Sequence, residues 1–250
     1  MELGVGTAAL IVAAGILFMS AIVKATTGFG YALISTPFLL ILWEPEFIVP
    51  VFMPLAVIGD ILIVIGTWRL IVWRQVIPLS IAGVISAPFG AYLLIAVPQD
   101  GLRLMVAFLA LISAVLLFLG IKVMIRREVF ASLVAGSLSG LFSTSTTMSG
   151  PPVAILLINQ RFEKQRFRAS LAMYFLIMQL VGAVSLVFLG PLNSGTMSVS
   201  IILLPTVILG NFVASKLVDR LPQEVFTRIA IIVVGLTASL ILAQSLISFV

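Results

Sequence analysis

Long apolar runs fill this chain, and short charged or Gly/Ser/Thr-rich clusters separate them. The stretches from Leu3 to Val23, Gln75 to Gln99, Leu104 to Ile121 and Ile229 to Val250 carry no charge. Each reaches or approaches the roughly 20 residues that a helix needs to cross about 30 Å of hydrocarbon. Lipid offers no partner to an exposed backbone N–H or C=O, so helices are the expected element throughout. The pattern predicts ten segments, at 3–23, 29–43, 47–68, 75–97, 103–121, 129–142, 151–160, 167–189, 198–218 and 225–249. Segments 29–43, 129–142 and 151–160 are short for full crossings. Each is either a tilted crossing or part of a re-entrant hairpin broken at a polar turn, and both arrangements return the chain to the face it left.

Composition agrees. Of 250 residues, 62% are hydrophobic and 9% charged, and the mean hydropathy is +1.30, far above an ordinary soluble domain. The chain reads as an all-α polytopic membrane protein, with membrane lipid as its solvent. The sequence contains no Cys and no His, which removes disulfides, thiol redox chemistry and the commonest transition-metal ligands; no metal and no cofactor is expected. Glu2 and the lack of a basic leader make the first apolar run a retained span rather than a cleaved signal.

The net charge of +5 would suit a nucleic-acid partner, but topology accounts for it. With the N-terminus outside, the inner loops hold Lys24; Arg69 and Arg74; Lys122, Arg126 and Arg127; Arg161, Lys164, Arg166 and Arg168; Lys216, Arg220 and Arg228. Of the 14 basic residues only Arg103 falls outside. That is the positive-inside pattern, so no nucleic-acid partner is expected, and both termini are expected on the outer side.

The chain also repeats. With residue n over n+120, Thr26 and Thr27 fall on Thr146 and Thr147, Gly30 on Gly150, Phe47 on Phe167 and Met53 on Met173. Farther on, "IPLSIAG" (77–83) faces "LPTVILG" (204–210), and "VPQD" (97–100) faces "LPQE" (221–224). The expected organisation is a first repeat over 1–121, a cytoplasmic linker over 122–128 and a second repeat over 129–250. Five segments per copy is an odd number, so the second copy must be inverted relative to the first. This is a layout of many secondary transporters, with the substrate site near the midplane where broken or short helices of the two copies meet.

Both copies carry a polar break at the same place: "KATTGFG" (24–30) and "STSTTMSG" (143–150). A broken membrane helix is tolerated only inside protein or beside water. Each resuming helix aims its free N–H groups and partial positive charge at the break, and "GPP" (150–152) suits a first helical turn. Amides with Ser and Thr hydroxyls form a cup that favours an anion. The candidate substrate-binding residues are therefore Lys24, Thr26, Thr27, Gly28, Gly30, Thr144, Ser145, Thr146, Thr147, Ser149 and Gly150. Plainer roles compete with this one: Lys24 snorkelling to headgroups, hydroxyls capping or joining helices, and glycines easing helix packing. Asp60 is an acidic residue well inside a span, where a carboxylate faces a partner or an aqueous path; it is a candidate carrier of a coupling proton or half of a structural ion pair. Gln179 falls close to the equivalent position in the second copy, and Arg168, where segment 167–189 begins, is a candidate guide for an anion.

These breaks, with "TTGFGYALISTP", the basic loop "WRLIVWR" and "TTMSGPPVAILLI", resemble the TauE/SafE family of sulfite-exporter type over nearly the whole chain. Gly28, Gly30, Pro37, Gly150 and Pro151 match the family's motifs, whereas Phe29, Tyr31, Met148 and Ser149 stand where further glycines often occur. The resemblance implies a small prokaryotic inner-membrane transporter for sulfite, an organosulfonate or a small carboxylate. The function expected is secondary transport of a small anion, in the sense of export, by alternating access around a central site. A passive anion channel or a non-transporting accessory protein are the alternatives. "TMSG" (147–150) offers a serine, but with no His and no nearby buried Lys as base an enzyme is not expected.

Overall fold

The computed structural model describes residues 6–118, 128–160 and 162–217. Among them the chain forms nine α-helices: α1 (Thr7–Thr27), α2 (Tyr31–Leu39), α3 (Pro45–Thr67), α4 (Trp73–Ala96), α5 (Gln99–Phe118), α6 (Glu128–Thr146), α7 (Gly150–Asn159), α8 (Lys164–Leu189) and α9 (Ser194–Leu217). One 3-10 turn, Trp68–Leu70, follows α3. Nine of the ten predicted segments are thus helices; the tenth, 225–249, and most of the linker lie outside the described residues.

Among the described residues, six helices are long and apolar enough to cross a membrane: α1, α3 with its 3-10 turn, α4, α6, α8 and α9. The chain is a multi-pass membrane protein. Helices α2 and α7, with 9 and 10 residues, span only about 14 and 15 Å at 1.5 Å per residue, half of a hydrocarbon core. Each follows directly on the long helix before it.

Two expected boundaries move, for one reason. Segment 129–142, expected to be short, is a 19-residue helix running on through Ser143, Thr144, Ser145 and Thr146, and α1 likewise runs on through Lys24 to Thr27. Thr26 donates to the carbonyls of Ile22 and Val23, Ser145 to Leu141 and Thr146 to Phe142. Hydroxyls that bond back onto the preceding turn keep Ser and Thr helical. The breaks shrink to Gly28–Gly30 and Thr147–Ser149. Farther along the chain, α9 begins four residues earlier than expected because Asn193 Oδ1 accepts from the N–H groups of Gly195 and Thr196, a side-chain N-cap.

Packing follows small residues. Helix α4 lies along α6, α9 along α1, and α3 against both α8 and α9. A Cβ at Gly136 would sit 2.3 Å from the Leu79 carbonyl oxygen, one at Gly140 2.3 Å from that of Gly83, and one at Gly90 2.0 Å from that of Leu141. In lipid, where apolar surface gains little from leaving one oily solvent for another, such backbone-close crossings supply the association energy. The outward face of α4 is apolar instead, with Ile77, Ile81, Ile85 and Phe89 exposed as a lipid-facing surface should be.

Candidate functional site

The first break is built by two left-handed glycines. Gly28 ends α1 at φ 88°, its N–H donating to the Lys24 carbonyl, and Gly30 at φ 94° opens α2. A side chain at Gly28 would also strike Arg168, whose Cα lies 2.9 Å from the Cβ position; the start of α8 is therefore seated against this turn, and Phe29 meets Phe167 edge-on at 6.2 Å. The second break does the same work without glycine at its bend: Thr147 sits at φ 65°. A β-branched residue there is a strained outlier that surrounding contacts must hold. Thr147 N–H donates to the Ser143 carbonyl, its Oγ1 to the Thr146 carbonyl, and the N–H of Ser149 returns to the Thr147 carbonyl.

The two breaks meet. Thr36 of α2 and Thr147 share a hydrogen bond of 2.5 Å between their hydroxyls. Beside this contact lies a small cavity of about 20 Å³, room for about one water-sized group as the side chains stand. Its wall takes Lys24 from α1, Phe29 through Leu33 from the first break and α2, Thr147 through Gly150 from the second, Phe52 from α3, and Phe175 and Gln179 from α8.

Lys24 is the one charged side chain on that wall among the described residues. The expectation of Lys24 in an inner loop is corrected here: it lies in the last turn of α1, 4% exposed, with Nζ 2.8 Å from Asp60 Oδ1 and 5.3 Å from the centroid of the Tyr31 ring. Its stem does not reach for headgroups because a fully buried carboxylate is delivered beside it by α3. Asp60 stands behind Lys24, off the cavity wall, and its Oδ2 accepts no hydrogen bond from the described residues. Gln179 is 3% exposed on the wall, and neither its Oε1 nor the buried Tyr31 hydroxyl has a hydrogen-bond partner among the described residues.

The sequence-derived candidates separate into two groups. Lys24, Gly30, Thr147, Ser149, Gly150 and Gln179 line the cavity. Thr26, Thr27, Thr144, Ser145 and Thr146 turn their hydroxyls onto carbonyls: Thr27 to Val23 and Phe29, Thr144 to Ala87 on α4 at 2.5 Å, and the others within their own helices. Gly28 and Arg168 shape the first turn from outside the cavity, and Asp60 reaches it only through Lys24. The breaks also differ in donor supply. Helix α2 opens with the amides of Tyr31, Ala32 and Leu33, all on the wall. Helix α7 opens with Pro151 and Pro152, which have no N–H, and the amides of Thr147, Met148 and Ser149 are bonded within the turn. The aromatic wall of Phe29, Tyr31, Phe52 and Phe175 was missed by sequence reasoning; the bulky Phe29 and Tyr31 at glycine positions of the motif were the available signal.

Neither the curated proteins nor the solved structures yield a match to the chain. The model of the Sulfite exporter TauE/SafE family matches residues 11–241. With two Thr-braced helix breaks closing on one small cavity, and a family match spanning nearly its full length, the chain belongs to the TauE/SafE family of membrane transport proteins.

Proposed function

We propose that the protein is a secondary transporter of a small anion, in the class of sulfite, an organosulfonate or a short carboxylate, and that it exports this anion across a prokaryotic inner membrane. The observation that carries the reading is the composition of the cavity wall: one buried ammonium, the first-turn amides of α2, which have no partner within their own helix, and the amide side chain of Gln179. These are donors and positive charge; the carboxylate beside them, Asp60, pairs with Lys24 from behind, and among the described residues no carboxylate lines the cavity itself. A helix N-terminus stabilises negative charge by about 0.3–1 kcal/mol when exposed and more when buried, and a partly dry site raises the worth of every such donor.

Alternating access around this cavity is supported by matched architecture. Helices α2 and α7 begin at 31 and 150, α3 and α8 at 45 and 164, α4 and α9 at 73 and 194. The long contacts cross over between halves, α4 to α6 and α9 to α1, as two interlocked copies would make. Gly90 is pressed against the carbonyl of Leu141, and Gly210 against Ala21 and the carbonyl of Phe18, which is one crossing made twice. Two inverted copies rocking about a shared site would expose it to each face in turn.

A thermal-shift screen of sulfur oxyanions, sulfonates and small carboxylates on the detergent-solubilised protein, followed by liposome flux of the hits, tests the reading. Binding should raise the melting temperature, and flux should saturate and show counterflow. Conductance that never saturates would make the protein a channel, and no binding by any anion would refute the reading.

A further inference from the structure

Resting on that reading of the cavity, we infer that Asp60 is a tethered stand-in for the transported anion: it neutralises Lys24 whenever no anion does, and so permits the carrier to return without cargo. Lys24 touches both worlds, its side chain lining the cavity while its ammonium contacts Asp60 at 2.8 Å. Among the described residues Asp60 makes no other ion pair, and its second oxygen accepts no hydrogen bond. A carboxylate placed for stability alone would be expected to have its lone pairs satisfied; this one is held by a single partner on a flexible four-carbon stem.

The charges then dictate the cycle. With Asp60 paired, the buried site carries no net charge and can cross the low-dielectric barrier during reorientation at little electrostatic cost. An arriving anion competes with Asp60 for the same ammonium, assisted by the α2 amides and Gln179. The two anions cannot share Lys24 on equal terms, because like charges brought together in a dry site repel by several kcal/mol. Asp60 is thus a positioning residue that acts through Lys24 and does not touch the cargo. Removing its charge should leave a site that holds anion too well and cannot return without it.

Asp60→Asn in proteoliposomes tests this, with radiolabelled sulfite as the probe, by comparing net efflux into sulfite-free buffer with one-for-one exchange at equal sulfite on both sides. Wild type should perform both. In Asp60→Asn, sulfite affinity should tighten about tenfold and net efflux fall about tenfold while exchange persists. Equal loss of efflux and exchange in a variant that still folds, or undiminished net efflux, would overturn the inference. Where Asp60→Asn does not fold, the uncharged double variant Lys24→Gln with Asp60→Asn carries the test. It should fold and lose both fluxes, and a double variant that still moves sulfite overturns the inference. A wild type that moves no anion at all would instead overturn the proposed function, and the inference with it.

Discussion

Replacing Gly90 with Ala probes the α4–α6 crossing that positions the second break. The added Cβ would lie 2.0 Å from the Leu141 carbonyl oxygen and 2.3 Å from Thr144 Oγ1, where ordinary contact begins at 3.4 Å. The nearer atom is backbone, so no rotamer change relieves the clash; α4 and α6 must part by about 1 Å, in a packed interior that does not compress. Parting stretches the Thr144 hydroxyl bond to the Ala87 carbonyl, now 2.5 Å. Overpacking of this kind costs about 1–3 kcal/mol, and an interhelical hydrogen bond in a membrane protein about 0.6–1 kcal/mol. Together they predict a loss of about 2–4 kcal/mol. Unfolding in mixed micelles of increasing denaturing detergent measures it. The control is Gly15→Ala on the lipid face of α1, where nothing lies within 4 Å; it should be neutral or stabilise by up to about 1 kcal/mol through helix propensity. If Gly90→Ala unfolds where wild type does, the close crossing does not hold the second break and the packing argument fails.

Four further outcomes are expected. Lys24→Met strands Asp60 as an unpaired buried charge and should cost about 3–5 kcal/mol in the same unfolding assay, most of it recovered by adding Asp60→Leu. Gly28→Ala puts a side chain at φ 88° and 2.9 Å from Arg168 Cα; it should lower stability by about 2–4 kcal/mol, and a neutral result would mean the first turn rearranges freely. Thr36→Val deletes the hydroxyl bond that ties α2 to Thr147 and should cost about 1 kcal/mol while changing anion flux, read in liposomes. Gln179→Leu removes a buried carbonyl that has no partner among the described residues, so it should leave stability unchanged or raise it by about 1 kcal/mol while weakening anion binding in a titration; weaker folding with intact binding would move Gln179 out of the site.

Much of this protein is legible from the chain alone, because lipid is an unforgiving solvent. An uncharged run of twenty residues has one structural solution there, so nine of the segments read from sequence are helices within a few residues of their expected limits. The two Gly/Ser/Thr clusters had to be breaks enclosed by protein, and the two breaks do close on one cavity. What hydropathy cannot register is direction. It is a property of one residue at a time, whereas a Thr hydroxyl bonds backward onto its own helix or outward to a ligand according to where the helix stops. In this protein the helices end at Thr27 and Thr146, each four residues later than composition suggests, and that turns Thr26, Thr144, Ser145 and Thr146 onto carbonyls while leaving Thr147 and Ser149 on the wall. Lys24 shows the same limit from the side of charge. Alone, a lysine near a helix end belongs among headgroups; only the packing of α3 beside α1 brings a buried carboxylate to within 2.8 Å and gives the buried ammonium the partner it needs. Sequence determined that the chain must be helical, membrane-spanning and twice broken, because each follows from the cost of a bare backbone group in oil. Tertiary structure decided which polar atoms those breaks leave free, because that depends on neighbours delivered from distant segments.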